Sequence, residues 1–569
     1  MALLLLFYIF ATCSLTNSSQ TTVSLSYSIT TTMSKHDLYL SLVENAFRQF
    51  SNLPAFSNYE GKTVTYREVE LNILQLHHRF RTFGVSPRDH IALIGKNSLE
   101  WATAYLATIT YGAVVVPILP NFPPADVQNL IEHSDSKILF SGNSYFEPLA
   151  ISAMPKLTGV ISLDDFSDLY TSTPVDSKIP DFDNEHLQVY NLHEREMMVL
   201  LYTSGTMGFS RGVMLHHLSI SSNIIYAREN MPLIPGDRIL SFLPLAHAYG
   251  CSVEFLYPFT MGAHISFLGK LPTPTILIKA FSEIKPRLIL SVPLILEKIY
   301  RKQLLPKISS PIVRLLLVLP LINKVLYKKI NTTLSNFFGG NFLEIVIGGA
   351  PLNPDVQRFL KKIGFKFTIG YGMTECAPLI SYAPWNTSKL NSAGRMVDRM
   401  ELKIHEADKV THVGEILVRG DNVMLGYYKN EKGTFETLDE QGWLQTGDLG
   451  CVDADGFIFI RGRSKSMILG ASGQNIYPEE IEARINNLPF VAESLVVDRQ
   501  GGLVALVFPD AEWIDKHHHD KAHLDKYLAH ALKHLNNELA DYQKISKFEI
   551  IDAEFEKTPK KSIKRFLYK

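Results

Sequence analysis

From residue 63 onward, segments with helical spacing of apolar residues alternate with short apolar runs. Helical spacing covers residues 66–83 and 100–110, and strand-like runs cover 90–94, 113–116, 238–243, 264–268, 288–292 and 343–347. This alternation is typical of a parallel sheet with crossover helices. The sequence therefore predicts an α/β fold with mixed α/β layers.

A smaller unit is predicted after residue 461. The pattern there gives a helix at 478–487, strands at 494–498 and 504–508, and a helix at 524–539. About one hundred residues is an ordinary size for a domain. We therefore divide the chain into a large domain, 33–461, and a small α+β domain, 462–569.

The first 32 residues follow neither pattern. Residues 2–10 are apolar enough for the core of a signal peptide, but no Lys or Arg precedes them and the first basic residue is Lys35. Residues 14–32 are rich in Ser and Thr. We expect 1–32 to be disordered or not part of the mature fold. In the second case Met33 is the true start. Export is the second interpretation.

The stretch 311–330 is strongly apolar and also contains Arg314, Lys324, Lys328 and Lys329. We interpret it as a pair of core helices broken at Pro320, because proline cannot continue a helix from the residues before it. The alternative is peripheral contact with the inner face of a membrane. In that case the apolar face enters the bilayer and the basic residues meet the headgroups.

Composition limits the function classes. At 569 residues the chain exceeds one ordinary core, and its 46% hydrophobic and 20% charged residues are typical of globular proteins. A net charge of −1 indicates no general attraction to nucleic acid. Four cysteines show neither a disulfide framework nor CxxC metal spacing, so we expect a cytoplasmic protein.

Residues 202–212, YTSGTMGFSRG, follow an apolar run at 197–201 that predicts a buried strand. Glycines allow the backbone to turn tightly, and successive N–H groups in such a turn accept anions. Hydroxyl groups and one guanidinium add further donors, which suits a polyphosphate. No Gly-Lys-Ser/Thr closes the segment, so it differs from the Walker pattern. The residues predicted to bind phosphate are Thr203, Ser204, Gly205, Thr206, Gly208 and Arg211.

Six further segments follow in order: PLAHAYG at 244–250, GGAPL at 348–352, YGMTE at 371–375, TGDLG at 446–450, RGRSK at 461–465 and GASGQNIYPEEIE at 470–482. With 202–212 they resemble the adenylate-forming, AMP-binding superfamily, and within it the AMP-forming acyl-CoA synthetases of the long-chain fatty acid branch. The resemblance implies a large adenylate-forming domain and a small mobile C-terminal domain. Met207, Ser210 and Arg211 stand where that family usually has threonine, proline and lysine.

The resemblance also implies a reaction that uses ATP, Mg²⁺, coenzyme A and a fatty acid. Thr206 and Glu375 would hold magnesium, which takes one or two protein oxygens beside those of phosphate. Asp448 and Arg463 would bind the ribose hydroxyls. The rest of the nucleotide site would be Gly349, Ala350, Pro351, Tyr371, Gly372 and Met373. The catalytic residues would be His247, Thr374, Glu375 and Lys561. The channel for coenzyme A would be lined by Gly470, Ser472 and Gly473.

The C-terminal element departs from the family pattern. An ungapped match of 557–565, KTPKKSIKR, places Ser562 where the family has a lysine that reaches the α-phosphate. Serine cannot supply positive charge to the developing charge at phosphorus. Lys561 is the adjacent substitute, and Lys560 or Lys564 would need a local shift. Ser562 leaves an ATP- or acyl-binding pseudoenzyme open as one alternative. Transfer of the acyl group to an acyl-carrier protein is another.

Overall fold

The structure is a computed structural model that describes residues 23–25, 38–172, 180–203, 211–469, 474–499, 502–517, 521–557 and 563–568. Its largest sheet has eight strands. Across the sheet their order is Gly426–Tyr427, Arg211–His216, Met197–Thr203, Val114–Ile118, His90–Ile94, Ser136–Ser141, Gly159–Ser162 and Asp168–Thr171. The five strands from Met197–Thr203 to Gly159–Ser162 are parallel, and those at both edges are antiparallel. The predicted parallel core of an α/β fold is thus confirmed.

A second sheet lies against the first through a shared helix. Its strands are Arg238–Ser241, His264–Phe267, Pro54–Asn58 and Thr63–Thr65. Helix Leu99–Thr110 contacts strands of both sheets and is buried on all sides. This explains its nearly uniform apolar sequence, because a helix with an exposed face would carry polar residues there.

Three smaller sheets extend the large domain toward the C-terminal side. The first consists, in spatial order, of Ile289–Ser291, Ile345–Ile347 and Phe367–Ile369. The second consists of Tyr371–Gly372, Leu379–Tyr382 and Arg395–Met396. The third has five strands: Val23–Leu25, Met400–His405, Gly414–Gly420, Leu444–Val452 and Ile458–Arg463. The pairing of Val23–Leu25 with Met400–His405 differs from the expectation that 1–32 takes no part in the fold. The backbone of Val23–Leu25 pairs with the edge strand Met400–His405, which would otherwise be open on that side.

Many helices begin at a proline, which fixes φ at a position where the missing N–H has no helical partner. Those that begin in this way include Pro124–His133, Pro274–Ile284, Pro293–Ile299, Pro311–Val318, Pro320–Phe337, Pro354–Lys362 and Pro478–Ile485. The other helices of eight or more residues are Tyr39–Phe50, Tyr66–Thr82, Leu99–Thr110, His217–Asn230 and Lys521–Glu538. Shorter helices are Asn143–Phe146, Ala248–Gly250, Tyr257–Thr260, Leu305–Ile308, Glu431–Thr437 and Ala511–His517.

The stretch 311–330 forms two helices that meet at Pro320, as predicted. The expectation that they belong to the core is wrong. Leu321 is 80% exposed and Val318 is 75% exposed. Within helix Pro320–Phe337 only Leu334 is buried. The apolar periodicity therefore identified helices correctly but not the side on which their apolar residues lie.

The C-terminal part has its own small sheet and apolar cluster. Strands Val491–Arg499, Gly502–Pro509 and Ile545–Ile550 form the sheet, and helices Pro478–Ile485 and Lys521–Glu538 pack on it. A short ribbon of Ile468–Leu469 and Asn475–Ile476 precedes them. The predicted elements of this unit are present, while the boundary at 461/462 stays a prediction.

Candidate active site

The glycine-rich segment connects two antiparallel strands, which we call the hairpin. Strand Met197–Thr203 pairs antiparallel with Arg211–His216, and Thr203 lies directly opposite Arg211. The Thr203 hydroxyl donates to the Arg211 carbonyl at 3.5 Å. Four predicted phosphate-binding residues lie outside the described residues: Ser204, Gly205, Thr206 and Gly208. Both ends of the segment that carries them are nevertheless fixed by the sheet.

Tyr427 joins this hairpin to Glu375. Strand Gly426–Tyr427 pairs with the hairpin, so that Tyr427 is opposite Val213. The Arg211 guanidinium lies over the Tyr427 ring, 5.1 Å from its centroid. The Tyr427 hydroxyl donates to Glu375 Oε1 at 2.9 Å. The hairpin mouth and the predicted magnesium ligand are therefore neighbours.

The protonation of Tyr427 suits this donor role. Burial raises the pKa of Tyr427, the Glu375 carboxylate raises it further, and Arg211 opposes both. The phenol consequently stays protonated at neutral pH. The Glu375 carbonyl also accepts from the Met424 N–H at 2.8 Å, so both backbone and side chain of Glu375 are held.

Asp448 has a donor on each carboxylate oxygen. Antiparallel pairing of Leu444–Val452 with Ile458–Arg463 places Asp448 opposite Arg463. Its Oδ1 lies 2.8 Å from Arg463 Nε, and its Oδ2 accepts from the Tyr371 hydroxyl at 2.7 Å. Burial raises the pKa of Asp448, and the Arg463 charge and the Tyr371 hydroxyl lower it. The predicted ribose residues are thus in direct contact.

A tight turn connects Tyr371 to Glu375. At Gly372 a Cβ atom would lie 2.1 Å from the Pro378 carbonyl oxygen, so the backbone approach requires glycine. Met373 donates its N–H to the same oxygen, and Thr374–Cys376 follows as a single 3₁₀ turn. Tyr371, whose hydroxyl contacts Asp448, precedes Glu375 by four residues in this turn, and the negative charge of Glu375 raises the pKa of Asp448. The residues predicted for ribose and for magnesium therefore share one site.

The loop that carries His247 packs on the GGAPL loop at 348–352. His247 is partly buried and precedes helix Ala248–Gly250. The Tyr249 hydroxyl donates to the Val346 carbonyl at 3.0 Å. The Tyr249 ring would lie 3.0 Å from a Cβ at Gly348. Gly349, with φ of +83°, and its neighbours Ala350 and Pro351 are exposed to solvent.

Two polar residues that the sequence did not single out hold the His247 loop. Glu254 is fully buried, and its Oε2 accepts from the N–H groups of Phe242 and Leu243, each at 3.1 Å. Asn97 accepts from Leu245 N–H at 3.1 Å and donates to the Leu243 carbonyl at 2.7 Å. The available signal for Glu254 was a single carboxylate within the apolar run 251–260.

The small domain meets the large one beside Arg463. Ser464 and Lys465, the last two residues of the RGRSK segment, lie in a 3₁₀ turn, Ser464–Ser466. Glu479 lies close to strand Ile458–Arg463, since its Oε2 is 3.0 Å from the position that a Cβ on Gly462 would take. Its charge also raises the pKa of Asp448. The predicted coenzyme A residues Gly470, Ser472 and Gly473 lie outside the described residues.

The C-terminal element is anchored on both sides of its undescribed part. Lys557 and Ile563 form an antiparallel bridge, while Lys561 and Ser562 lie outside the described residues. The Arg565 guanidinium donates to Glu482 Oε2, and Glu482 Oε1 accepts from the Val496 N–H at 2.7 Å. Burial raises the pKa of Glu482 to about 7, despite Arg565. The lysine-rich tail thus returns to the body of the small domain.

Comparison with known families agrees with this site. Residues 43–428, more than half of the chain, match the family described as AMP-binding enzyme. The chain belongs to the AMP-binding enzyme family. In this AMP-binding enzyme, residues 465–568 also match the C-terminal domain of the family, which confirms a large and a small adenylate-forming unit.

Relatives of this AMP-binding enzyme have several acid substrates in their names. It is 27% identical to a long-chain-fatty-acid–CoA ligase of Mycobacterium bovis, over 85% of this chain and 86% of the relative. It is 28% identical to 4-coumarate–CoA ligase 2 of Nicotiana tabacum, over 81% and 82%. A crystal structure of an anthranilate CoA ligase with anthranoyl-AMP shares the fold, with a TM-score of 0.75, 20% identity and coverage of 93% and 96%.

Proposed function

We propose that this AMP-binding enzyme joins a carboxylic acid to coenzyme A in two steps. A carboxylate oxygen attacks the α-phosphorus of ATP, and pyrophosphate leaves. The thiol sulfur of coenzyme A then attacks the acyl carbonyl carbon, AMP leaves, and the thiol proton passes to solvent. One observation carries the proposal: Glu375 is held by Tyr427 at the mouth of the hairpin, and it lies in the same tight turn as Tyr371, whose hydroxyl contacts Asp448.

The nucleotide would lie between the hairpin and the 371–375 turn. Backbone N–H groups and hydroxyls of 204–210 would hold the β- and γ-phosphates, with Arg211 at the end of the loop. Asp448 and Arg463 would receive the ribose, and Tyr371, fixed through its hydroxyl to Asp448, would face the adenine. Gly349, Ala350 and Pro351 would complete the adenine side.

Magnesium fits the donors that this site offers. Among the described residues, no group of three His, Cys, Asp or Glu side chains is arranged as a metal centre. Glu375 instead provides one carboxylate, which suits an ion held mainly by phosphate oxygens and water. Glu375 and Thr206 would hold Mg²⁺, which would neutralise phosphate charge. Fixing Glu375 through Tyr427 lets the protein position that charge before ATP arrives.

We further propose a long-chain fatty acid as the acid substrate. The residues around His247 are buried and apolar, namely Leu245, Ala246 and Ala248. The relative from Mycobacterium bovis carries this substrate in its name and matches along most of both chains. His247 and Thr374 would face the reacting carboxylate. Lys561 would supply the charge that Ser562 lacks, while Gly470, Ser472 and Gly473 would line the path of coenzyme A.

Pyrophosphate release tests the proposal. Purified protein is incubated with ATP, Mg²⁺ and either palmitate or 4-coumarate, with coenzyme A or a phosphopantetheinylated carrier protein as acceptor. Palmitoyl-CoA should form, and Glu375→Gln should slow pyrophosphate release at least tenfold. Faster reaction with 4-coumarate refutes the fatty acid, and transfer only to the carrier protein refutes coenzyme A.

Absence of pyrophosphate with every acid would refute the enzyme and favour the pseudoenzyme. In that case ATP would still raise the melting temperature. Ser562→Lys is the companion variant. Unchanged activity of that variant would show that a neighbouring lysine already supplies the charge.

A further inference from the structure

The two helices that meet at Pro320 expose an unusual concentration of apolar side chains. We name seven exposed residues the apolar tip: Ile312, Leu315, Val318, Leu319, Leu321, Ile322 and Val325. They fall within fourteen consecutive residues. A single exposed leucine needs no explanation, but a contiguous group of this kind marks a surface that binds something.

Positive charge accompanies the apolar tip along the chain. Lys307, Lys324, Lys328 and Lys329 are exposed, and we name them the basic collar. Between Glu297 and Glu344 the sequence contains eight Lys and Arg and no acidic residue, although the whole chain has a net charge of −1. This segment therefore differs from the rest of the protein in sign of charge as well as in apolarity.

The two acidic residues that flank the segment are engaged elsewhere. Glu297 Oε1 accepts from the Asn353 N–H at 2.9 Å. Glu344 is buried and accepts from the Tyr382 hydroxyl and from the Trp385 N–H at 2.9 Å. Neither carboxylate is directed toward neutralising the basic collar.

Helical geometry orders the tip and the collar along one face. In helix Pro320–Phe337 the positions 321, 325, 328 and 329 are four, seven and eight residues apart and share a face. The seven steps from Leu321 to Lys328 rise about 10 Å along the axis. An interfacial helix buries its apolar face about 5–10 Å deep, with cations at the headgroups. Because this rise runs along the axis, the Pro320 end of the helix would enter the bilayer first, with Lys328 about 10 Å behind Leu321.

We propose that the apolar tip and basic collar dock on an anionic lipid surface. Charge selects this occupant, because anionic headgroups supply the missing negative charge above an apolar layer. Among the described residues no helix is both long and apolar enough to cross a bilayer. The contact we propose is a peripheral one. The inference goes beyond the proposed ligase reaction and does not depend on it.

Vesicle co-sedimentation tests the surface without turnover. The full chain is mixed with vesicles of phosphatidylcholine alone or with 30% phosphatidylglycerol, at low and at high salt. We expect binding only to the anionic vesicles, weakened by salt. One lysine near such a surface is worth about fivefold in binding, so a Lys324→Gln, Lys328→Gln, Lys329→Gln variant should bind about 100-fold more weakly. Leu321→Asp with Val325→Asp should weaken binding at least tenfold.

Matched variants carry the same changes on other exposed surfaces. Leu271→Asp with Val410→Asp controls for the apolar pair, and Lys62→Gln, Lys409→Gln, Lys432→Gln controls for the lysines. Both controls should bind as the parent protein does. Absence of parent binding to anionic vesicles, or equal loss in test and control variants, overturns the proposal. Self-association that only the tip variants abolish would also overturn it, because a second copy would then be the occupant.

Discussion

Tyr427→Phe isolates the contact that positions Glu375. The substitution removes the hydroxyl that donates to Glu375 Oε1 at 2.9 Å and keeps the ring beneath the Arg211 guanidinium. A hydrogen bond to a charged group is worth about 1.5–3 kcal/mol, or about 10- to 150-fold in rate. We therefore expect kcat/KM for ATP to fall by about that factor. The Mg²⁺ concentration for half-maximal rate should rise, because Glu375 loses its orientation.

Tyr428→Phe is the matched control. It removes the same atom from the next residue, where the hydroxyl donates to Asp135 Oδ2 at 2.6 Å instead. Both variants are assayed for pyrophosphate release across Mg²⁺ concentrations and for melting temperature. The Mg²⁺ dependence should change only in Tyr427→Phe, while melting temperatures fall by similar amounts. Equal kinetics in the two variants would refute the positioning role of Tyr427.

Three further variants test other parts of the site and fold. Asp448→Asn removes the charge that pairs with Arg463, so the KM for ATP should rise at least tenfold and discrimination against 2′-deoxy-ATP should shrink; retained discrimination would refute the ribose role. Gly372→Ala places a Cβ 2.1 Å from the Pro378 oxygen, so the melting temperature should fall by several degrees, with an unchanged value contradicting the close approach. His77 is buried, and burial lowers its pKa to about 4. As pH falls, the His77 side chain is protonated in the unfolded chain before it is protonated in the folded one. The free energy of unfolding therefore decreases by up to about 3 kcal/mol between pH 6.5 and pH 4. The free energy of unfolding is measured with urea at pH 7.5 and at pH 4.5. The difference between the two values should be smaller for His77→Gln than for the parent, and an equal difference would refute the role of His77.

The regular part of the fold could be predicted from local pattern. The run 90–94 was placed at the same bounds as the observed strand His90–Ile94, because a fully buried parallel strand is uniformly apolar. The stretch 311–330 shows where pattern fails. Its apolar residues indicate helices whichever way they face, and the side they present is decided by packing that periodicity does not contain.

The site could be predicted only where short motifs carry it. Tyr371, Glu375, Asp448 and Arg463 were named from the sequence, and the structure brings them together. Tyr427 was missed because it lies in none of the motif segments from which the site residues were named. It reaches Glu375 only through sheet pairing with Arg211–His216, which lies more than two hundred residues earlier. Contacts of that sequence separation leave no local signal.

The most direct test of the central claim is acid-dependent release of pyrophosphate from ATP by the purified chain, with acyl-AMP trapped when coenzyme A is omitted. We predict stoichiometric acyl-adenylate with palmitate, and its conversion to palmitoyl-CoA and AMP when coenzyme A is added. Protein that binds ATP yet releases no pyrophosphate with any carboxylic acid would contradict the assignment.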